Sequence, residues 1–284
     1  MFQRKKVIIM SVVTISPPKS CIYCGGSENG PLTKEHVLPS WLYEESTNLN
    51  IQLLQASPDK FISNQQTVKD VCAKCNNEVL SQLDTYAKTL YLKYFKKIVH
   101  KNQSFRFEYN YHMLVRWLLK VSYNSARANK GDVQSFIDFK EYILKGTNCP
   151  SGLTIMVQLL TPYYLNEKEK EKVKNLEIKD LGVIRPYFTR ISKMHSPSSF
   201  QSVRMITLNS YVFYIFIPSE KNITTFSRQK ELQRIMSTDI TEGLQLLNPI
   251  KNKINVKSSQ VSLLRFMEAH FMKYRETYSQ LINK

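Results

Sequence analysis

Four of the five cysteines in this 284-residue chain fall into two pairs of identical spacing, Cys21-Ile22-Tyr23-Cys24 and Cys72-Ala73-Lys74-Cys75. A two-residue gap lets both thiolates of a tight turn reach one tetrahedral Zn²⁺, and a second such turn completes the coordination. Gly25 and Gly26 follow the first pair and give it the backbone freedom such a turn requires. Four thiolates leave no position open for water, so a zinc held this way is structural. The connection between the pairs is 47 residues long. That exceeds the roughly 15–20 of ordinary zinc ribbons, so the connection must fold on itself. Disulfides are the alternative in an exported chain. Cys149 has no partner in the pattern and is expected to be buried.

Within that connection lies Pro31-Leu32-Thr33-Lys34-Glu35-His36-Val37-Leu38-Pro39. A histidine can take a proton from water near neutral pH, and an adjacent carboxylate can hold a divalent cation. The ordered set Cys-x-Tyr-Cys-Gly, Leu-Thr-x-Glu-His-Val-x-Pro and Val-Cys-x-x-Cys-Asn-Asn resembles the HNH endonuclease family, in its branch with two zinc knuckles. The resemblance covers residues 21 to about 84. It implies a ββα-metal fold in residues 1–90, with His36 at the end of the first strand as general base. It further implies that Glu35 and Asn76 hold a catalytic Mg²⁺ or similar ion, with Asn77 and then Asp84 as alternatives to Asn76. The family's middle asparagine has three candidates, Asn64, Asn48 and Asn50, and the spacing does not choose among them.

The chain carries 40 Lys and Arg against 23 Asp and Glu, a formal charge of +17. Such a surplus favours a polyanion by counterion release, and nucleic acid, DNA first, is the expected partner. Two basic groups are candidates for phosphate contact. Lys93, Lys96, Lys97 and Lys101 follow the cysteine-rich segment closely. Arg116, Lys120 and Arg127 share one side of an expected helix, with Tyr123 and Asn124 beside them; an ordinary solvated face is the plainer account of that side.

Residues 1–15 pair a basic start with a short apolar stretch, but Ser16-Pro17-Pro18-Lys19 comes next in place of a small-residue cleavage site. No apolar run reaches the length of a membrane span. The expectation is a cytoplasmic chain with no membrane partner.

Apolar spacing predicts helices over 79–98, 111–128 and 136–144, and a C-terminal helix over 259–282. The last has a three-four apolar stripe able to pack on the chain's own sheet or against a second copy, giving a homodimer. Segments 152–157, 182–184, 202–207 and 211–217 read as strands, with Asn209-Ser210 as a hairpin turn. The charge run from Asn166 to Lys172 reads as a solvated loop or exposed helix. His195 and His270 stand alone. The expected architecture is α+β: a small ββα unit in 1–90 with a four-cysteine zinc, then helices and an antiparallel sheet with a C-terminal helix in 91–284. Three functions are compatible with this reading: a metal-dependent endonuclease, a nucleic-acid-binding module that does not cut, and an interaction protein scaffolded by zinc.

Overall fold

The computed structural model of the chain describes residues 20–27, 29–47, 66–173, 183–184, 189–194, 196–219 and 224–270. The amino-terminal stretch, Asn48, Asn50, Asn64, His195 and residues 271–284 lie outside these, and so do the expectations that rest on them.

The first strand, β1 (Leu32–His36), is followed by helix α1 (Ser40–Thr47) and then by β2 (Thr67–Cys72), which pairs antiparallel with β1. Leu32 faces Cys72 and His36 faces Thr67, and the register slips between Thr33 and Glu35. One extra residue of β2 is taken up there, the kind of bulge that re-aims side chains at the end of a pair. The chain turns directly from β2 into a helix whose middle, α2 (Ser81–Leu90), is flanked by wider π-helical turns at Cys75–Leu80 and Tyr91–Phe95. Leu80, Leu83, Ala87, Leu90, Tyr94 and Phe95 form its buried stripe. The sequence expectation of a helix over 79–98 is therefore met, but the helix begins earlier, at the second cysteine pair. The division expected after residue 90 falls within it.

Strand β3 (Ser104–Glu108) leads to α3 (Tyr111–Ala128), started by Asn110, whose side-chain oxygen accepts from the Met113 amide at 3.1 Å. After 3₁₀ turns at Val133–Phe139 come α4 (Lys140–Lys145) and β4 (Thr154–Leu159). A short strand β5 (Tyr163–Tyr164) pairs with β6 (Val183–Ile184), and the charge run forms the exposed helix α5 (Glu167–Val173). β7 (Thr189–Met194), β8 (Phe200–Leu208) and β9 (Tyr211–Pro218) come next, then α6 (Thr225–Met236). The described chain closes with β10 (Gln245–Leu246), β11 (Lys253–Lys257) and α7 (Leu263–His270).

The central sheet is antiparallel in the order β10-β4-β9-β8-β7. Asn209 makes the β8–β9 hairpin turn with a left-handed φ of 53°, and its amide donates to the Phe95 carbonyl at 3.0 Å. Alternation gives the sheet two apolar faces. Ile155, Val157, Leu159, Ile206 and Phe213 join one cluster with the residues of α2, α3 and the cysteine-rich segment. Met156, Val203, Met205, Tyr214 and Phe216 form a second cluster with Leu263 and Phe266 of α7. One apolar core thus runs from Cys21 through α3 to the sheet, and it continues unbroken across residue 90. The expected α+β class with antiparallel sheets is the architecture present. Among the described residues no helix is long and apolar enough to cross a membrane.

Phe107 of β3 is fully buried among Tyr94, Phe95, Tyr109, Tyr211 and Phe213, with ring centroids 5.0–6.4 Å away. It ties the end of the π-turned helix to the hairpin of the sheet. Phe107→Ala is expected to cost about 3–5 kcal/mol, read as a lowered urea midpoint without a change in slope.

Candidate metal centre and functional site

The two cysteine pairs converge. The sulfurs of Cys21, Cys24, Cys72 and Cys75 all lie within 4.8 Å of one another. Cys24 and Cys72 sulfurs stand 3.8 Å apart. A disulfide requires about 2.05 Å, whereas the edge of a tetrahedron with Zn–S bonds of about 2.3 Å is ~3.8 Å. The donor set and its spacing fit zinc. Local backbone explains the first turn: Gly25 adopts φ 74° while its amide donates to the Cys21 carbonyl at 2.8 Å, and the Cys21 amide donates to the Gly26 carbonyl at 3.1 Å. In the second turn Cys72 ends β2, and the Cys75 amide, one helical turn on, donates to its sulfur at 3.4 Å. Burial pulls the Cys24 thiol up, but hydrogen bonds from the Gly26 backbone and the Asn29 amide outweigh it and hold the thiol at about 7. Burial pushes the Cys72 and Cys75 thiols upward. Cys149, expected to be buried, is exposed, because it sits in the loop leading to β4 rather than in the core. Its thiol is raised by that loop's packing, against a hydrogen bond with Tyr142.

The Ile22 amide donates to the Asp70 carbonyl at 2.8 Å, fixing the first cysteine turn along β2. The cluster therefore joins the segment before β1, the end of β2 and the start of the helix. Strand, strand and helix are held at one end by four sulfurs.

The Glu35–His36 pair lies at the other end of β1. His36 is the last residue of the strand and is half-buried; its carbonyl accepts from the Asn124 amide at 3.0 Å. Glu35 turns inward and is only 4% exposed. Its carboxylate meets the Lys120 ammonium at 2.6 Å, and the same ammonium meets Asp84 of α2 at 2.6 Å. Lys120 has no solvent exposure at all. The Trp117 indole donates to the other Asp84 oxygen at 3.1 Å, and the Asn124 amide approaches Glu35 at 3.3 Å. Burial pulls Lys120 down, but Asp84 and Glu35 more than reverse it, so its ammonium is held charged. Burial pushes the Glu35 carboxyl above the ordinary carboxylate range against the pull of Lys120.

This geometry corrects two expectations. Glu35 and Asn76 do not fit a catalytic divalent ion. Glu35 Oε1 is taken by the buried Lys120 ammonium and the Asn124 amide, and the carboxylate is closed off from solvent, so its charge is already matched. Asn76, in the first turn of the helix, directs its amide nitrogen to Thr33 Oγ1 at 2.9 Å and to the Lys34 carbonyl at 3.1 Å. It clamps the helix start to β1. Asn77 is exposed, and Asp84, the third alternative, is the second carboxylate on Lys120.

The second correction concerns α3. Arg116, Lys120 and Arg127 form neither a phosphate stripe nor a solvated face. Arg116 donates to the Ile143 and Leu144 carbonyls at 2.8 and 2.7 Å, satisfying the end of α4. Arg127 pairs with Asp70 of β2 and lies over the rings of Tyr123 and Tyr23, 4.6 and 5.2 Å from their centroids. Tyr23 donates to Asn124 Oδ1 at 2.8 Å. Trp117, Lys120, Asn124 and Arg127 thus form a buried polar seam along α3 that grips α2, β1, the first cysteine turn and β2 in succession. The signal in the sequence is polar residues at helical spacing within an otherwise apolar helix. Of the other basic group, Lys93 pairs with Glu108 at 3.2 Å and Lys96 with Glu45 at 2.8 Å, both in solvent, and Lys97 and Lys101 are exposed.

Comparison with protein-family models, with curated proteins and with solved structures finds no match.

Proposed function

We propose that the chain acts on nucleic acid through a zinc-stapled strand-strand-helix unit of the HNH type, hydrolysing phosphodiester bonds with His36 as the general base. The observation that carries the reading is the arrangement of β1, β2 and the helix around four converging thiolates, with His36 closing β1. That is the order of parts which the sequence resemblance implies for residues 21–84. His36 is half-buried at a strand end, so a water and a phosphate can approach it while the strand fixes its backbone. The imidazole there takes a proton from the attacking water as its oxygen bonds to phosphorus, the bond to the leaving oxygen breaks and that oxygen takes a proton from solvent, a contribution of roughly 10²–10⁴-fold in rate. Glu35 does not touch substrate in this account. It positions the end of β1 by its bond to Lys120, and Asn124 does the same through the His36 carbonyl.

A second reading, a nucleic-acid-binding module that does not cut, is favoured by one observation, the engagement of Glu35 by Lys120. Supercoiled plasmid decides between them. Zinc-loaded protein with Mg²⁺ or Mn²⁺ in the buffer is expected to convert it to the nicked circle. Protein that retards the plasmid on a gel but leaves it supercoiled with either ion carries the second reading.

A further inference from the structure

We infer that the solvent face of the β3–β11 ribbon is the surface on which this protein seats the nucleic-acid phosphate backbone, an inference that rests on the nucleic-acid reading above and gives it a location. The two strands pair antiparallel over five residues, Lys253 opposite Glu108, Asn255 opposite Arg106 and Lys257 opposite Ser104. Alternation sends Phe107 and Val256 into the core, fully buried, with Phe105 and Ile254 half-buried beside them. The remaining side chains, Ser104, Arg106, Glu108, Lys253, Asn255 and Lys257, all face solvent. The inner face is therefore locked and the outer face is rigid, polar and cationic.

The charge on that face is one-sided. Its one carboxylate, Glu108, is neutralised from two directions, by Lys93 at 3.2 Å and Arg106 at 3.0 Å. Lys253 also acts on the Glu108 carboxylate from across the ribbon, and Lys257, four residues on along the same strand, adds a further charge, so the face carries a cationic surplus. Alternate residues on a strand repeat at about 7 Å, so the ribbon offers cations and the hydrogen-bonding Asn255 and Ser104 in a fixed row. A rigid row of this kind favours phosphates that repeat along a strand, and a two-stranded ribbon also matches the width of a duplex major groove.

The ribbon is tied to the proposed site. Lys93 belongs to the π-turn that ends the helix leaving the zinc cluster, and Glu108 receives a second bond there, its amide donating to Tyr94 Oη at 3.2 Å. From Asn76 to Lys93 that helix runs on the order of 25 Å, or about seven base-pair steps of duplex.

The test is fluorescence anisotropy with a labelled 20-base-pair DNA duplex, using full-length zinc-loaded protein over 50–200 mM salt. The variant Lys253→Gln/Lys257→Gln is compared with an equal loss of charge elsewhere, Lys168→Gln/Lys230→Gln. Circular dichroism and zinc content confirm that both are folded. The ribbon variant is expected to lose at least tenfold in affinity at 100 mM salt. The slope of log K against log salt should become shallower by about 1.8, two phosphate contacts at 0.9 each. The control variant is expected to bind within twofold of the native protein. Equal losses in both variants, or none in the ribbon variant, overturn the ribbon while leaving the nucleic-acid reading in place. A native protein that ignores the duplex at 50 mM salt overturns both. Binding to phosphatidylserine vesicles in place of DNA assigns the face to a lipid surface and likewise overturns the inference.

Discussion

Replacing Lys120 with Met is expected to destabilise the protein by about 3–5 kcal/mol, a large part of the 5–15 kcal/mol typical of a folded domain. The ammonium lies between Glu35 and Asp84 with no access to water. Its removal leaves the buried Glu35 carboxylate facing the half-buried Asp84, and an unpaired buried charge costs far more than a lost surface pair. The loss comes from the orphaned acids, so removing them as well restores much of it. Lys120→Met/Glu35→Gln/Asp84→Asn is expected to be more stable than Lys120→Met alone, because a neutral seam of the same volume incurs less desolvation. The sign of the pH dependence is set by the raised Lys120 pKa. Its contribution is complete below the ordinary lysine value of about 10.4 and fades only as pH rises through the higher folded value. Urea denaturation at pH 7 measures both variants. A Lys120→Met protein within 1 kcal/mol of native would mean that the ion triad does not form as described.

Removing a zinc ligand is expected to have a still larger effect. Cys72 ends β2 and its sulfur lies at the centre of the cluster, beside Cys24 and under the Cys75 amide. Structural zinc contributes an apparent 10–16 kcal/mol at neutral pH, roughly the stability of the whole chain or more. Cys72→Ser is therefore expected to bind no zinc and to lose the protection of β1, β2 and the helix that follows them in amide hydrogen exchange. The β4–β9–β8 sheet, whose strands pair with one another and with none of the cysteine-bearing segments, should retain the most protection. Native protein is expected to hold one zinc per chain by elemental analysis. A Cys72→Ser chain with native exchange rates around β1 and β2 would rule out a structural metal.

The parts of this protein legible in the sequence are those set by short-range covalent geometry. Two residues between cysteines specify a knuckle wherever the pair sits, and both knuckles are found on one cluster. Alternating β-branched and aromatic residues mark β4, β8 and β9, and Asn209 marks the β8–β9 turn, because strand and hairpin patterns are local. The periodicity of 111–128 likewise fixes α3 to its ends. Periodicity says which residues share a side of a helix, however, and not what that side meets. Charged side chains usually face outward, but Lys120 and Arg127 do not; the acids that bury them, Glu35, Asp84 and Asp70, stand 36 to 85 residues away in the sequence. The same blindness assigns Glu35 to a metal. Its neighbour His36 is consistent with such a site, but adjacent residues of a strand face opposite ways, and Glu35 faces the core. Free cysteines generally lie inside, and the loop between α4 and β4 puts Cys149 outside.

The central claim is that His36 takes the proton in phosphodiester cleavage, and nicking of supercoiled plasmid by His36→Ala beside the native protein tests it most directly. The side chain is half-buried at the end of β1 and is not one of the four cysteine ligands, so the variant is expected to keep its zinc, and circular dichroism checks that it is folded. The account predicts nicking by the native protein and a loss of at least 10²-fold in the variant. Nicking by the variant at the native rate, with zinc content unchanged, would contradict it.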